Sequence, residues 1–102
     1  MRLSPQQKNA ICDNVLKNFG KTAHVWLFGS RVDDKKLGGD IDLYIESEQQ
    51  NAMELVDAKL SFLASLHQQI GDQKIDVVIK RSNTPHDEAI YHIARKTGVQ
   101  LL

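Results

Sequence analysis

The sequence is poor in the residues that define several protein classes. It has one cysteine, Cys12, among 102 residues, so no disulfide can form within the chain. That suits a reducing compartment. Only two prolines and six glycines occur, with no low-complexity tract, which leaves no proline-rich or glycine-rich linker to separate domains. Lys plus Arg and Asp plus Glu stand at 13 each, so the formal net charge is zero. A chain without net charge carries no strong nucleic-acid signal and no general attraction to an anionic membrane. No apolar run approaches the roughly 20 residues that cross a bilayer. Met1-Arg2-Leu3-Ser4-Pro5 turns polar at once, without the apolar centre of a signal peptide. The expectation is one soluble, cytoplasmic domain over residues 1–102.

The order of local patterns is legible. Ser4-Pro5-Gln6-Gln7 has a capping residue, a proline suited to the first helical position and a glutamine able to close a capping box. Ile11, Val15 and Phe19 follow at helical spacing, with Cys12 and Leu16 beside them, and Gly20 stops the run. A helix over 5–19 is predicted. His24–Phe28 is a short β-prone run, and 29–39 reads as a loop with room for one helical turn. Asp40–Glu46 alternates: Ile41, Leu43 and Ile45 belong to one face of a strand, and Asp40, Asp42 and Tyr44 to the other.

A second helix is expected over 50–70, burying a stripe of Met53, Val56, Leu60, Leu63 and Ile70 with Leu66 nearby. Lys74–Ile79 reads as a third strand. Thr84-Pro85 reads as the start of a last helix that buries Ala89, Ile90, Ile93 and Ala94 and stops at Gly98. Residues 99–102 can add an edge strand. The fold class is α/β (α+β), a small mixed sheet of three or four strands packed with helices.

Chemistry concentrates in three carboxylates. Asp40 and Asp42, two apart on one strand, point to one face with Cα atoms about 6.5–7 Å apart. If the third strand is a neighbour, Asp76 joins them. Unpaired carboxylates at such spacing repel one another and raise their pKa values, and a divalent cation removes that penalty. Mg²⁺ takes oxygen ligands, usually one or two carboxylates with phosphates and water. Gly29-Ser30, at the end of the first strand, can approach and donate to phosphate oxygens. An EF-hand is excluded because Tyr44 stands where an oxygen ligand is required, and no Walker-type phosphate loop occurs.

Leu27-Phe28-Gly29-Ser30-Arg31, followed by Gly39-Asp40-Ile41-Asp42-Leu43, resembles the signature of the DNA polymerase β-like nucleotidyltransferase superfamily, in particular its minimal nucleotidyltransferases. The intervening loop, 31–39, is one residue shorter than the commonest form. The resemblance implies that Asp40 and Asp42 hold two Mg²⁺ ions (Mn²⁺ can substitute) and that Asp76 completes the metal site and serves or orients the base. It implies that Gly29, Ser30 and Arg31 hold the triphosphate. Transfer of a nucleoside monophosphate, with ATP as the default donor, onto an acceptor hydroxyl would follow. The alternative it implies is an antitoxin-type module that neutralises a small all-helical partner of the HEPN class, with or without catalysis. A homo-oligomer is left open.

The remaining residues have plainer readings. His24, His67, His86 and His92 are scattered and read as ordinary surface or partly buried histidines. Cys12 and Trp26 read as core, Lys35-Lys36 as a solvated pair, and Tyr44 as either lining the nucleotide site or packing.

Overall fold

The computed structural model describes residues 3–32, 39–49, 51–82 and 88–102, with the side chain of Ser30 outside the description. Helix α1 (Pro5–Phe19) leads into β1 (His24–Phe28) and a 3-10 turn (Gly29–Val32). β2 (Ile41–Ser47), α2 (Ala52–Ile70), β3 (Ile75–Arg81), α3 (Ala89–Thr97) and β4 (Val99–Gln100) follow. The four-stranded sheet has the order β3-β2-β1-β4. β1 is antiparallel to both β2 and β4, whereas β2 and β3 are parallel. The expected mixed sheet packed with helices is therefore present.

Local chemistry sets the helix ends. Ser4 Oγ accepts from the Gln7 N–H at 3.0 Å, and Gln7 Oε1 accepts from the Ser4 N–H at 3.0 Å. This reciprocal box satisfies two backbone donors that the first helical turn leaves open. Asn51 caps α2 by accepting from the Glu54 N–H at 3.1 Å. Gly20 and Gly71 terminate α1 and α2 at φ 97° and 88°, where a side chain would be strained.

The two faces of the sheet have different fates. Ile41, Leu43 and Ile45 of β2 join Val25, Leu27 and Ile75 on one face. Against them pack Ile11, Val15 and Phe19 of α1 and Phe62 and Leu66 of α2. Phe19 meets Phe62 edge-on at 5.7 Å between ring centroids. This is the core. On the opposite face α3 covers Trp26 and Tyr44. The Tyr44 ring lies 5.2 Å from Trp26 and 5.7 Å from Tyr91. Tyr44 donates to Glu46 Oε2 at 2.6 Å, and Arg95 donates to the Tyr44 hydroxyl at 2.9 Å. Of the two roles open to Tyr44, packing is the one observed: it is fully buried. Burial and the hydrogen bond to Glu46 push its phenol well above its ordinary range. Cys12 is half-buried, its thiol 3.5 Å from the Leu101 carbonyl, and burial raises its pKa.

Two expected buried faces need correction. Met53, Val56 and Leu60 are 71%, 52% and 62% exposed. α2 is apolar on more than one side, and the side that docks carries Phe62 and Leu66, with Leu55, Ala58, Leu63 and Ile70 partly buried beside them. In α3, Ala94 is buried but Ala89, Ile90 and Ile93 are exposed. That helix docks through Tyr91, Ala94 and Arg95, because what lies beneath it is an aromatic ring with a hydroxyl, and Arg95 can both stack on Tyr44 and bond to it. The proposed cap Thr84-Pro85, with His86, lies outside the described residues, as do Lys35-Lys36.

The two sides of α2 predict opposite outcomes. Leu66→Ala should cost about 2–5 kcal/mol, the range for emptying a closed core site. Leu60→Ala should stay within about 0.5 kcal/mol, as surface changes do. Urea unfolding of both variants checks this, and equal losses would mean that the α2 orientation is wrong.

Candidate active site

The carboxylates meet because of strand register. β2 and β3 pair in parallel with Asp42 beside Asp76, and the Ile41 N–H donates to the Lys74 carbonyl at 3.0 Å. Asp42 is half-buried on the face opposite the core, and Asp76 is exposed. Their carboxyl groups lie within hydrogen-bonding reach of each other. Burial raises the Asp42 pKa, and the charges of Asp76 and then Asp40 raise it further, while Lys74 opposes them.

Asp40 immediately precedes β2. Its Oδ2 is 3.3 Å from Lys74 Nζ. Lys74 relates to Asp76 as Asp40 relates to Asp42, two residues earlier on the neighbouring strand, so the register that joins Asp42 to Asp76 also brings Asp40 to Lys74. That ion pair raises the Lys74 pKa. Among the described residues, no three acidic, histidine or cysteine side chains converge as they stand into a ready ligand set. Asp40 is held by Lys74 rather than drawn in with the other two.

Gly29 begins the 3-10 turn at φ 76°. A Cβ there would overlap the Asp42 carboxylate. Glycine is therefore required twice, by the backbone conformation and by the closeness of the carboxylate. Ser30 follows in the same turn, its hydroxyl outside the description. Arg31 braces the turn: Nε donates to the Gly39 carbonyl at 3.4 Å and Nη2 donates to Gln73 Oε1 at 3.1 Å. These contacts tie the end of β1 to the segments entering β2 and β3. Gln73 is itself fixed, its carbonyl 2.9 Å from His67 Nε2.

Phe28 is the register partner of Asp42 on β1 and is half-buried. Gly98, at the end of α3, lies where a Cβ would collide with the Leu27 carbonyl and crowd Phe28. α3 thus closes down beside the acidic cluster without covering it. Of the three carboxylates Asp76 is exposed, whereas Asp40 and Asp42 are half-buried.

Residues 11–102 match the protein family described as polymerase beta, nucleotidyltransferase. The match spans most of the chain. The chain belongs to that family. Comparison with curated proteins finds no match. As a nucleotidyltransferase domain the chain has a nucleotide substrate and a transfer reaction as its general activity. No helix among the described residues is long and apolar enough to cross a membrane.

Sequence reasoning misses Lys74, Gln73 and the Glu46 and Arg95 partners of Tyr44. Lys74-x-Asp76 repeats the spacing of Asp40-x-Asp42, and that repetition was the available signal. Nothing local marks Arg95 as the partner of a residue 51 positions away.

Asp42 yields a stability prediction with a definite sign. Its folded pKa is raised above the unfolded value, so the folded state takes up its proton first as pH falls. The ionised group costs stability above that window, and the cost disappears as pH falls through the folded value. In metal-free buffer at neutral pH, Asp42→Asn should melt higher than wild type. The gap should close as pH falls through the raised value. Thermal melts of both proteins across pH test this; a mutant less stable than wild type at neutral pH would contradict it.

Proposed function

We propose that the chain is a single catalytic domain that transfers a nucleoside monophosphate, AMP from ATP as the working donor, onto an acceptor hydroxyl, with Asp40, Asp42 and Asp76 as its active site. One observation carries the proposal. Asp42 is half-buried against a second carboxylate, with Gly29 pressed onto it, on the sheet face opposite the core. A cluster that costs stability while ionised makes sense as a cation site.

The donor set fits the metal that such chemistry uses, since all three groups are hard carboxylate oxygens. Asp40, Asp42 and Asp76 would hold Mg²⁺ or Mn²⁺, which when bound offsets phosphate charge and lowers the pKa of an acceptor hydroxyl. The chain's own groups do the rest. Backbone N–H groups of the Gly29-Ser30 turn donate to the triphosphate, and the absence of a Cβ at Gly29 lets it approach. Arg31 holds that turn against Gly39 and Gln73, keeping phosphate and carboxylates in fixed relation. Lys74, mostly exposed beside Asp40, supplies a cation to the phosphates.

The acceptor oxygen attacks the α-phosphorus as the bond to the leaving pyrophosphate breaks, and the hydroxyl proton passes to Asp76, the most exposed of the three positions. A bond forms between acceptor oxygen and α-phosphorus, and pyrophosphate leaves with the electron pair.

Asp76 is exposed beside the half-buried Asp40 and Asp42. An acceptor that brings its own surface suits that exposure, which favours a hydroxyl on a partner protein over a small free molecule. The antitoxin reading fits within this one, with a HEPN-class helical protein as both partner and acceptor.

Asp42→Ala should reduce transfer from α-labelled ATP by about a hundred- to a thousandfold, the scale of losing a principal electrostatic group, with the melting temperature unchanged or raised. Lys74→Ala should lower the rate more modestly, mainly through a higher KM for the nucleotide. Label transfer and melting measured together decide the matter, and full activity in folded Asp42→Ala would end the proposal.

A further inference from the structure

β3 is an edge strand. Its inner side pairs with β2, and among the described residues no strand pairs with its outer side. It runs Ile75-Asp76-Val77-Val78-Ile79-Lys80-Arg81, seven residues with an apolar centre that is only partly buried. A long apolar edge exposes a row of backbone donors and acceptors that invites another strand. Beside it a cleft of about 400 Å³ is lined by Leu55, Val56 and Lys59 of α2, by Ile79 and Arg81 of β3, and by Tyr91 of α3. Val56 belongs to the exposed stripe Met53, Val56 and Leu60, so that stripe adjoins the open edge.

The sequence of β3 is complementary to itself. Consider two copies antiparallel about a two-fold axis perpendicular to the sheet at Val78. Residues of like face then stand opposite one another. Asp76 meets Lys80 of the second copy, Val77 meets Ile79, and Val78 meets Val78. Opposite charges and apolar pairs directly across an antiparallel ladder each stabilise it by about 0.2–1 kcal/mol. Moving the axis by one residue sets Asp76 opposite Val78, or Lys80 opposite Val78, and both ion pairs are lost. The same axis places the two α2 helices on one face of the joined sheet, each with its apolar stripe next to the junction.

We propose that this chain forms a two-fold dimer through antiparallel pairing of β3 with β3 of a second copy, centred on Val78, with the α2 stripes Met53, Val56 and Leu60 packed alongside. Such an interface is isologous and closes on itself, so it ends the edge without propagating it. The pairing rests on the edge, its charges and the stripe. Its consequence for the site rests on the nucleotidyl-transfer reading: Lys80 of each copy stands beside Asp76 of the other.

Sedimentation velocity and disulfide trapping on the full chain test the dimer without reference to activity. Wild type should sediment as a dimer at micromolar concentration. Leu60→Glu alters a side chain that is 62% exposed, so the fold is not at risk; it should shift the protein to monomer with its melting curve retained. Val78→Cys should form a disulfide-linked dimer well above the level that Cys12 alone gives, because residues opposed on the axis have Cα atoms about 4.5–5.5 Å apart. Lys80→Cys should not, since its two copies are separated by four strand rises, about 14 Å. A wild-type monomer throughout, including one that associates only with a different protein, would overturn the proposal. So would a dimer untouched by Leu60→Glu, or equal trapping at Val78→Cys and Lys80→Cys.

Discussion

Asp42 stands beside Asp76 because β2 and β3 are parallel and in register, and the rest of the molecule is arranged around that pairing. Parallel strands cannot be joined by a tight turn, so α2 is required as the crossover between them. α2 then covers the face on which Ile41, Leu43 and Ile45 project, and with α1 it builds the core there. The same strands that bring two carboxylates together are thus fixed from behind by fully buried apolar side chains. Burial at roughly 25 cal/mol per Å² over such a face readily outweighs a repulsion of pKa-shift size. The acidic face is tolerated because the opposite face of the same backbone is so strongly held.

Alternation along β2 divides its other face into two zones. Tyr44 and Glu46 lie under α3, held by Arg95. Asp42 and Asp40 lie beyond the helix, beside the turn after β1. One strand therefore supplies both an anchoring point for the covering helix and the open acidic surface. Gly29 and Gly98 are the contact points at the boundary: the first yields space to Asp42, and the second lets the end of α3 approach the backbone of β1.

Much of this was legible in the residues. The capping box, the two glycine stops and the alternation of β2 are short-range signals with a local physical cause, and each appears where expected. The carboxylates were legible because Asp-x-Asp on a strand fixes a shared face, and Asp76 because one further strand pairing suffices. The faces of α2 and α3 were not. α2 offers apolar residues on two sides, and periodicity alone does not say which side the core takes, so Met53, Val56 and Leu60 read as inward but lie outward. In α3 the docking surface is made by Tyr91 and Arg95 against a buried phenol, an arrangement that hydrophobicity cannot anticipate for Ile90 and Ile93. Arg31 likewise bonds to Gly39 and Gln73 across segments that only the folded chain brings together.

The central claim is that Asp40, Asp42 and Asp76 act as one cation site joined to a nucleotide. The most direct measurement is Mn²⁺ binding by paramagnetic resonance, with and without a non-hydrolysable nucleoside triphosphate, in wild type and in Asp42→Asn. The account predicts binding that nucleotide strengthens, that weakens as pH falls and the carboxylates protonate, and that Asp42→Asn largely removes. Mn²⁺ binding equal in the two proteins, with nucleotide present, would contradict it.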